Sequence, residues 1–241
     1  MKIQRPDRPA APSSKNEMFS TIGTKLVVAV TGVVLVLFVI GHMLGNLQIY
    51  LGPEAINSYA AFLKSKPGPL WAVRLGLLAA FLLHIGGIIR LTLANRRART
   101  TAYAIKKPVQ STFASRTMVY SGAVLLAFVI FHLQHFTIGA IYPENFHLTD
   151  AAGRHDVYSM TILGFQHPLV SISYIFAMGL LGMHLGHGVA SIFQTTGLRR
   201  PRFVPMIEVI GRIVAVVIVL GNISIPVAAL LGWISPTQGR F

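Results

Sequence analysis

Long stretches of this chain carry no charge. Residues 26–53, 117–143, 157–198 and 213–239 contain no Asp, Glu, Lys or Arg. A shorter neutral gap at 75–89 extends upstream past Arg74 to Pro69. A helix that crosses a bilayer needs roughly 20 mostly apolar residues. Five segments reach that length, at about 25–49, 69–91, 117–140, 166–193 and 211–234. The pattern predicts an all-α integral membrane protein with five transmembrane helices in one bundle, a single domain over 19–236. Barrel strands would instead alternate apolar and polar residues over about ten positions. No segment does so. Small residues such as Gly86, Gly87, Gly179, Gly182 and Gly186 are expected to let helices approach closely. Pro226 is expected to kink the fifth span, because proline lacks a backbone donor. No transporter-like repeat and no second domain is read.

Composition agrees: 53% of the chain is hydrophobic and 12% charged, against about 25% charged in soluble domains. The absence of cysteine excludes disulfides, iron–sulfur clusters and thiolate metal sites within this chain. A net charge of +14 would suit nucleic acid in a soluble protein. Here the bilayer is the partner, and basic residues mark the cytoplasmic side. Sixteen of the 21 basic residues lie in the N-terminal arm and the connections 90–116 and 199–212, and five lie on the other face. The N-terminus is therefore expected in the cytoplasm and the C-terminus outside. Residues 1–18 are polar, with Pro6, Pro9 and Pro12 and no apolar core before a cleavage site. They read as a disordered cytoplasmic arm rather than a signal peptide, and 237–241 as a short outer tail.

Six of the nine histidines fall within spans: His42, His84, His132, His135, His184 and His187. Ionisable residues at membrane depth are rare and usually functional. Their depths are ordered. At about 1.5 Å per residue, His42 and His132 lie roughly 24–25 Å from the basic end. His84 and His184 sit on spans of opposite direction and fall in the inner half. Two imidazoles at each of two levels is the arrangement of two stacked bis-histidine haems, where filling both axial positions favours electron transfer over oxygen chemistry. A proton relay is the competing reading, but it would call for Asp or Glu at depth, and none of the five predicted spans contains one. Structural zinc takes four ligands, more than either level supplies. His135 and His187 each follow a ligand candidate by three residues. The first is read as a quinone hydrogen-bonder, an alternative ligand or a structural polar group, the second as a structural polar group.

Specific motifs bear on this reading. Ser20, Thr21, Ile22 and Gly23 are followed by Thr31 and Gly32, then by HMLGNL at 42–47. The third span carries FHLQHF at 131–136, and the fourth ends in HLGHGVASIFQTTG at 184–197. Together these resemble the single-chain, five-helix cytochrome b subunit of succinate dehydrogenase and fumarate reductase, over the first four spans. The fifth span matches only in character. The resemblance implies two haems b, one held by His42 and His132 (outer) and the other by His84 and His184 (inner). It leaves His135 and His187 off the iron. It also implies two cytoplasmic partners, a flavoprotein subunit and an iron–sulfur subunit, with room for a higher oligomer of the complex. Electrons would pass through the haems to menaquinone in a bacterial cytoplasmic membrane. Fumarate-reducing relatives carry a glutamate two residues before the fourth-span ligand, where this chain has Gly182. A succinate:menaquinone oxidoreductase anchor is thus the expected function. A quinol:fumarate reductase anchor and a haem-free proton or ion carrier are the alternatives. Dicarboxylate chemistry would belong to the partners.

Two sets of polar residues are expected to serve these groups. Arg90, Arg116, Arg199, Arg200 and Arg212 are candidates for the inner haem propionates and the partner subunits, because a carboxylate near the bilayer boundary needs a compensating charge. Gln48, Tyr50, Asn57, Gln134 and His135 are candidates for an outer quinone site, with Asn46 and Tyr59 nearby and Glu54 as proton donor. A cytoplasmic site near Ser20, Thr21, Thr24 and Lys25 is the alternative.

Overall fold

The computed structural model describes residues 20–99, 112–197 and 200–237. Of these 85% are helical, and no strand forms among them. Helix α1 runs Thr21–Asn46 and ends in a tight turn, Leu47–Leu51. It is followed by α2 (Pro53–Lys64), α3 (Pro67–Ala98) and α4 (Phe113–Leu133), which continues as a wider π turn, Gln134–Ile138. Then come α5 (Pro143–Phe146), α6 (Val157–Gln166), α7 (Pro168–Thr195) and α8 (Val204–Leu230). Five of them, α1, α3, α4, α7 and α8, are long and apolar enough to cross a membrane. The expected five-span, all-α bundle is the observed architecture.

Local chemistry sets the helix ends. The Ser20 hydroxyl accepts from the Gly23 N–H at 3.1 Å, and Thr112 does the same for Ser115 at 3.1 Å. Each hydroxyl satisfies a donor that the first turn leaves open. Proline opens α3 and α7, where no N–H is needed. The side chains sort in a way that only lipid tolerates. Leu37, Leu82 and Leu220 are each about 60% exposed or more, and apolar surface on this scale needs a nonpolar solvent.

Helix α7 is the centre of the bundle, packed on α8, α4 and α1, while α3 leans on α1. Glycines mark the close crossings. A Cβ on Gly87 would lie 2.5 Å from Val28, and one on Gly182 would lie 2.6 Å from Val219. Gly86, Gly179 and Gly186 face open space instead. Pro226 is inside α8 and buried.

Two boundaries differ from expectation. The connections between α1 and α3 and between α4 and α7 are not simple loops: α2, α5 and α6 form a cap over one end of the bundle. The apolar period of these short helices merges with that of the neighbouring spans. The fifth helix also begins earlier than 211, so Glu208, assigned to a connection, lies in α8 and pairs with Arg212 at 3.4 Å. One turn of separation lets that pair form at the polar end of a spanning helix. The expected arm at 1–18 lies outside the described residues. So does Arg199, and so do the last four positions of the expected tail.

The cap is a closed polar network. Arg154 contacts Glu54 at 2.6 Å and Asp150 at 2.8 Å, and donates to Ser58. Asp156 accepts from the Ser159 N–H, Asn57 and Thr237. This ties the α1–α3 connection, the α4–α7 connection and the C-terminal segment together at one end.

Candidate functional site

The inner pair is built by two matching seats. On α3, His84 Nδ1 lies 3.2 Å from the Val28 carbonyl and 3.3 Å from Thr31 Oγ1. The Thr31 hydroxyl donates to the Val27 carbonyl at 2.7 Å, so toward the histidine it is an acceptor. On α7, His184 Nδ1 lies 3.2 Å from Ser121 Oγ, whose own proton goes to the Met118 carbonyl at 3.1 Å. The Val28 carbonyl can only accept, so a neutral His84 carries its proton on Nδ1 and leaves Nε2 bare, and His184 does the same while Ser121 keeps its proton on the Met118 carbonyl. That is how metal-ligating histidines are usually oriented.

The next residue in each seat is glycine. The His84 ring lies against Gly32 and the His184 ring against Gly122, where a Cβ would lie 3.5 and 3.6 Å from the respective Cε1. Any side chain longer than alanine would enter the space that the rings occupy.

The outer pair meets directly. The His42 and His132 ring centroids are 5.7 Å apart, with planes at 87°. His132 Nδ1 lies 3.2 Å from the Tyr174 hydroxyl. The same hydroxyl lies 3.2 Å from His135 Nδ1. His42 differs, because its Nε2 accepts from the Asn46 amide at 3.0 Å. A metal at that nitrogen would replace the amide.

The helices that carry each pair stand apart. Neither α1 with α4 nor α3 with α7 is among the interfaces that hold the bundle together. Across the gap between α1 and α4 the His42 and His132 rings still meet edge to face. Among the described residues no three of His, Cys, Asp and Glu cluster as metal ligands, so the four-ligand zinc arrangement is not formed. Two imidazoles, each seated at Nδ1 by a neighbouring helix, are a donor set of the kind a bis-histidine haem takes, and His84 and His184 both have that seat.

The quinone candidates fall into different surroundings. Asn57 is fully buried in the cap. Its amide donates to Asp150 at 3.3 Å and Asp156 at 3.0 Å, and its carbonyl accepts from the Tyr158 N–H at 3.0 Å. With both donors and the carbonyl engaged, it is a strut of the cap rather than a group offered to a quinone. Glu54 is equally committed. The Arg154 guanidinium and the Ser58 hydroxyl hold its pKa down at about 2, so it is a poor proton donor near neutrality. Tyr50 and Gln134 are exposed and Gln48 is half-buried. His135 is 3% exposed, stacked on Phe136 at 3.9 Å, edge-on to Tyr142 and tilted against Phe131.

Of the arginines, Arg90 lines a hollow of about 430 Å³ with Gly86, Ile89, Leu93, Ala94 and Arg97 on α3. Arg116 and Arg200 are exposed, and Arg212 pairs with Glu208. Four residues around the histidines do not stand out in the sequence: Ser121, Gly122, Val28 and Tyr174. A signal for the first two exists. Thr31 and Gly32 stand eleven and ten residues before His42, and Ser121 and Gly122 stand eleven and ten before His132.

Comparison with protein-family models, with characterised proteins and with solved structures gave no match.

Proposed function

We propose that this chain is the membrane anchor and di-haem b electron-transfer subunit of a succinate:menaquinone oxidoreductase in a bacterial cytoplasmic membrane. The observation that carries the reading is the seating of histidines at two depths between helices that stand apart. The motif resemblance in the first four spans supplies the identity of the complex.

A haem iron held by two imidazoles carries one electron at a time and offers no open position to oxygen. His84 and His184 would hold the inner group, with Thr31, Ser121 and the Val28 carbonyl fixing the rings. His42 and His132 would hold the outer group, His42 exchanging its Asn46 contact for the iron. Arg90 lies six residues beyond His84, roughly 9 Å along α3, and suits an inner propionate. Arg116, Arg200 and Arg212 suit the same task or the surface that meets the iron–sulfur subunit. Moving each electron outward would gain up to about 2.3 kcal/mol per 100 mV of membrane potential. That gain helps an otherwise unfavourable transfer from succinate to menaquinone and gives two depths a purpose.

The quinone is placed near the outer level, with Gln48, Tyr50, Gln134 and His135 as the remaining hydrogen-bonders. Substituting Gln48 and measuring succinate:quinone turnover at intact haem content tests that placement. Unchanged turnover and inhibitor sensitivity would move the site to the basic end.

The cofactor reading is tested by a pyridine haemochrome assay of the purified chain. Two haems b per chain are expected. None would return the histidines to a proton or ion carrier, and one would break the two-level assignment.

A further inference from the structure

We propose that His135, acting through the Tyr174 hydroxyl, sets the tautomer of His132 and so decides whether His132 Nε2 is open to a metal. This rests on the di-haem reading and assigns a role toward the iron to a histidine that the reading keeps off it.

The argument is one of proton counting. The Tyr174 oxygen lies 3.2 Å from Nδ1 of both His132 and His135. The phenol has one proton, and the two rings are its hydrogen-bond partners, so a buried hydroxyl whose proton is paired donates to one ring and accepts from the other. A neutral imidazole has one N–H and one lone pair. Only two arrangements satisfy both contacts and also pair the phenol proton. In the first, Tyr174 donates to His132 Nδ1, so His132 carries its proton on Nε2 and has no lone pair there for a metal. In the second, Tyr174 donates to His135 Nδ1 and accepts from the His132 Nδ1–H. His132 Nε2 is then bare. The second arrangement requires His135 to be the acceptor.

The surroundings make this choice matter. Tyr174 is 6% exposed and His135 is 3% exposed, so bulk water does not replace either contact. His135 reaches the bundle interior from a π turn, a local widening often found at functional sites. Gly139, at φ +73°, closes that turn in the left-handed region glycine favours. Gly164 leaves room for the far edge of the ring, since a Cβ there would lie 2.8 Å from His135 Nε2. His135 is thus a positioning residue, one hydroxyl removed from the ligand.

The test combines redox titration with histidine ¹⁵N NMR on the wild type, Tyr174→Phe, His135→Leu, His135→Gln and the Tyr174→Phe/His135→Leu double variant. Without an acceptor at Nδ1, His132 becomes a weaker donor, and the midpoint of one haem rises. A tenfold change in its oxidation equilibrium is about 59 mV. Tyr174→Phe and His135→Leu should move the same haem and leave the other in place. The double variant should move no further than Tyr174→Phe alone. His135→Gln, whose carbonyl can accept from Tyr174, should restore the wild-type midpoint. Should Tyr174→Phe lose a haem, His135→Leu must lose the same one and His135→Gln must keep it. Unmoved midpoints, additive shifts or failure of the glutamine rescue would overturn the proposal. A wild-type chain with fewer than two haems overturns the di-haem reading instead. In that event the haem-free ¹⁵N spectrum still decides: His132 must be protonated on Nδ1 in the wild type and lose that preference in His135→Leu.

Discussion

The two levels of histidine use the same side chain and hold it by different means. At the inner level the acceptors are anchored to helix backbone. Thr31 and Ser121 each direct their proton to a carbonyl of their own helix, so toward His84 and His184 they are acceptors only. For His84 the Val28 carbonyl, which can only accept, settles the tautomer. At the outer level the partner of His132 is a phenol that can turn either way, and His42 is held by an amide at the nitrogen a metal would need. The inner pair is preorganised, whereas the outer pair depends on a third group. One level thus suits a fixed centre and the other an adjustable one, within a single bundle.

The largest expected effect breaks one level and spares the other. On the di-haem reading, His184→Ala should remove one of two haems and leave the other at its wild-type spectrum, measured by haemochrome and reduced-minus-oxidised difference spectra. Loss of both haems would mean that the levels are not independent. Next come the seats. Ser121→Ala deprives His184 Nδ1 of its acceptor and should weaken inner haem retention roughly 10–100-fold. Thr31→Val should do less, because the Val28 carbonyl still accepts from His84. Equal losses would contradict the bifurcated contact at His84.

Asn57→Ala probes the cap above the outer level. It strips hydrogen bonds from Asp150, Asp156 and the Tyr158 N–H and should cost about 1–3 kcal/mol for each buried group left unpaired, read as a lowered melting temperature in detergent. Gly164→Ala should cost about 1–3 kcal/mol by crowding His135 and perturb only the outer level. Gly122→Ala places its Cβ at an ordinary 3.6 Å from His184 and should be tolerated. The smallest effect is that of pH on the cap. The Arg154 contact lowers the Glu54 pKa from 4.5 to about 2. Burial alone would raise Asp156, but its hydrogen bonds from Ser159, Asn57 and Thr237 outweigh that and hold it below its usual value. Depressed carboxylates stabilise the folded cap above their unfolded pKa, and that contribution is lost as pH falls through the folded value. The carboxylate contribution should therefore appear as protection of the α2 and α6 amides, corrected for the intrinsic pH dependence of exchange, that falls off below about pH 4. Glu54→Gln should weaken that acid response.

Part of the site is legible in the chain alone. The depth ordering of His42, His84, His132 and His184 needs only span boundaries and the rise per residue. The paired hydroxyl–glycine steps are legible too. Eleven residues make about three helical turns, so Thr31 shares a face with His42, and Ser121 with His132. That spacing recurs in the first and third spans, but a glycine in a spanning helix reads first as a packing residue, which hides it. The engagement of Asn57 and Glu54 is not legible. Both look like polar groups near a membrane surface until residues about a hundred positions away close on them.

The sequence by itself determined the five long apolar helices, the clustering of basic residues in particular connections and the position of each histidine along its helix. Those properties follow from local run length and a fixed helical rise, and neither depends on which helix lies next to which. Tertiary structure decided that Thr31 and Ser121 serve His84 and His184 rather than the histidines of their own helices. It also brought Tyr174 between His132 and His135 and consumed Asn57 in the cap. Each of these is a hydrogen bond to a distant segment, and an imidazole's tautomer depends on the partner that packing brings to it.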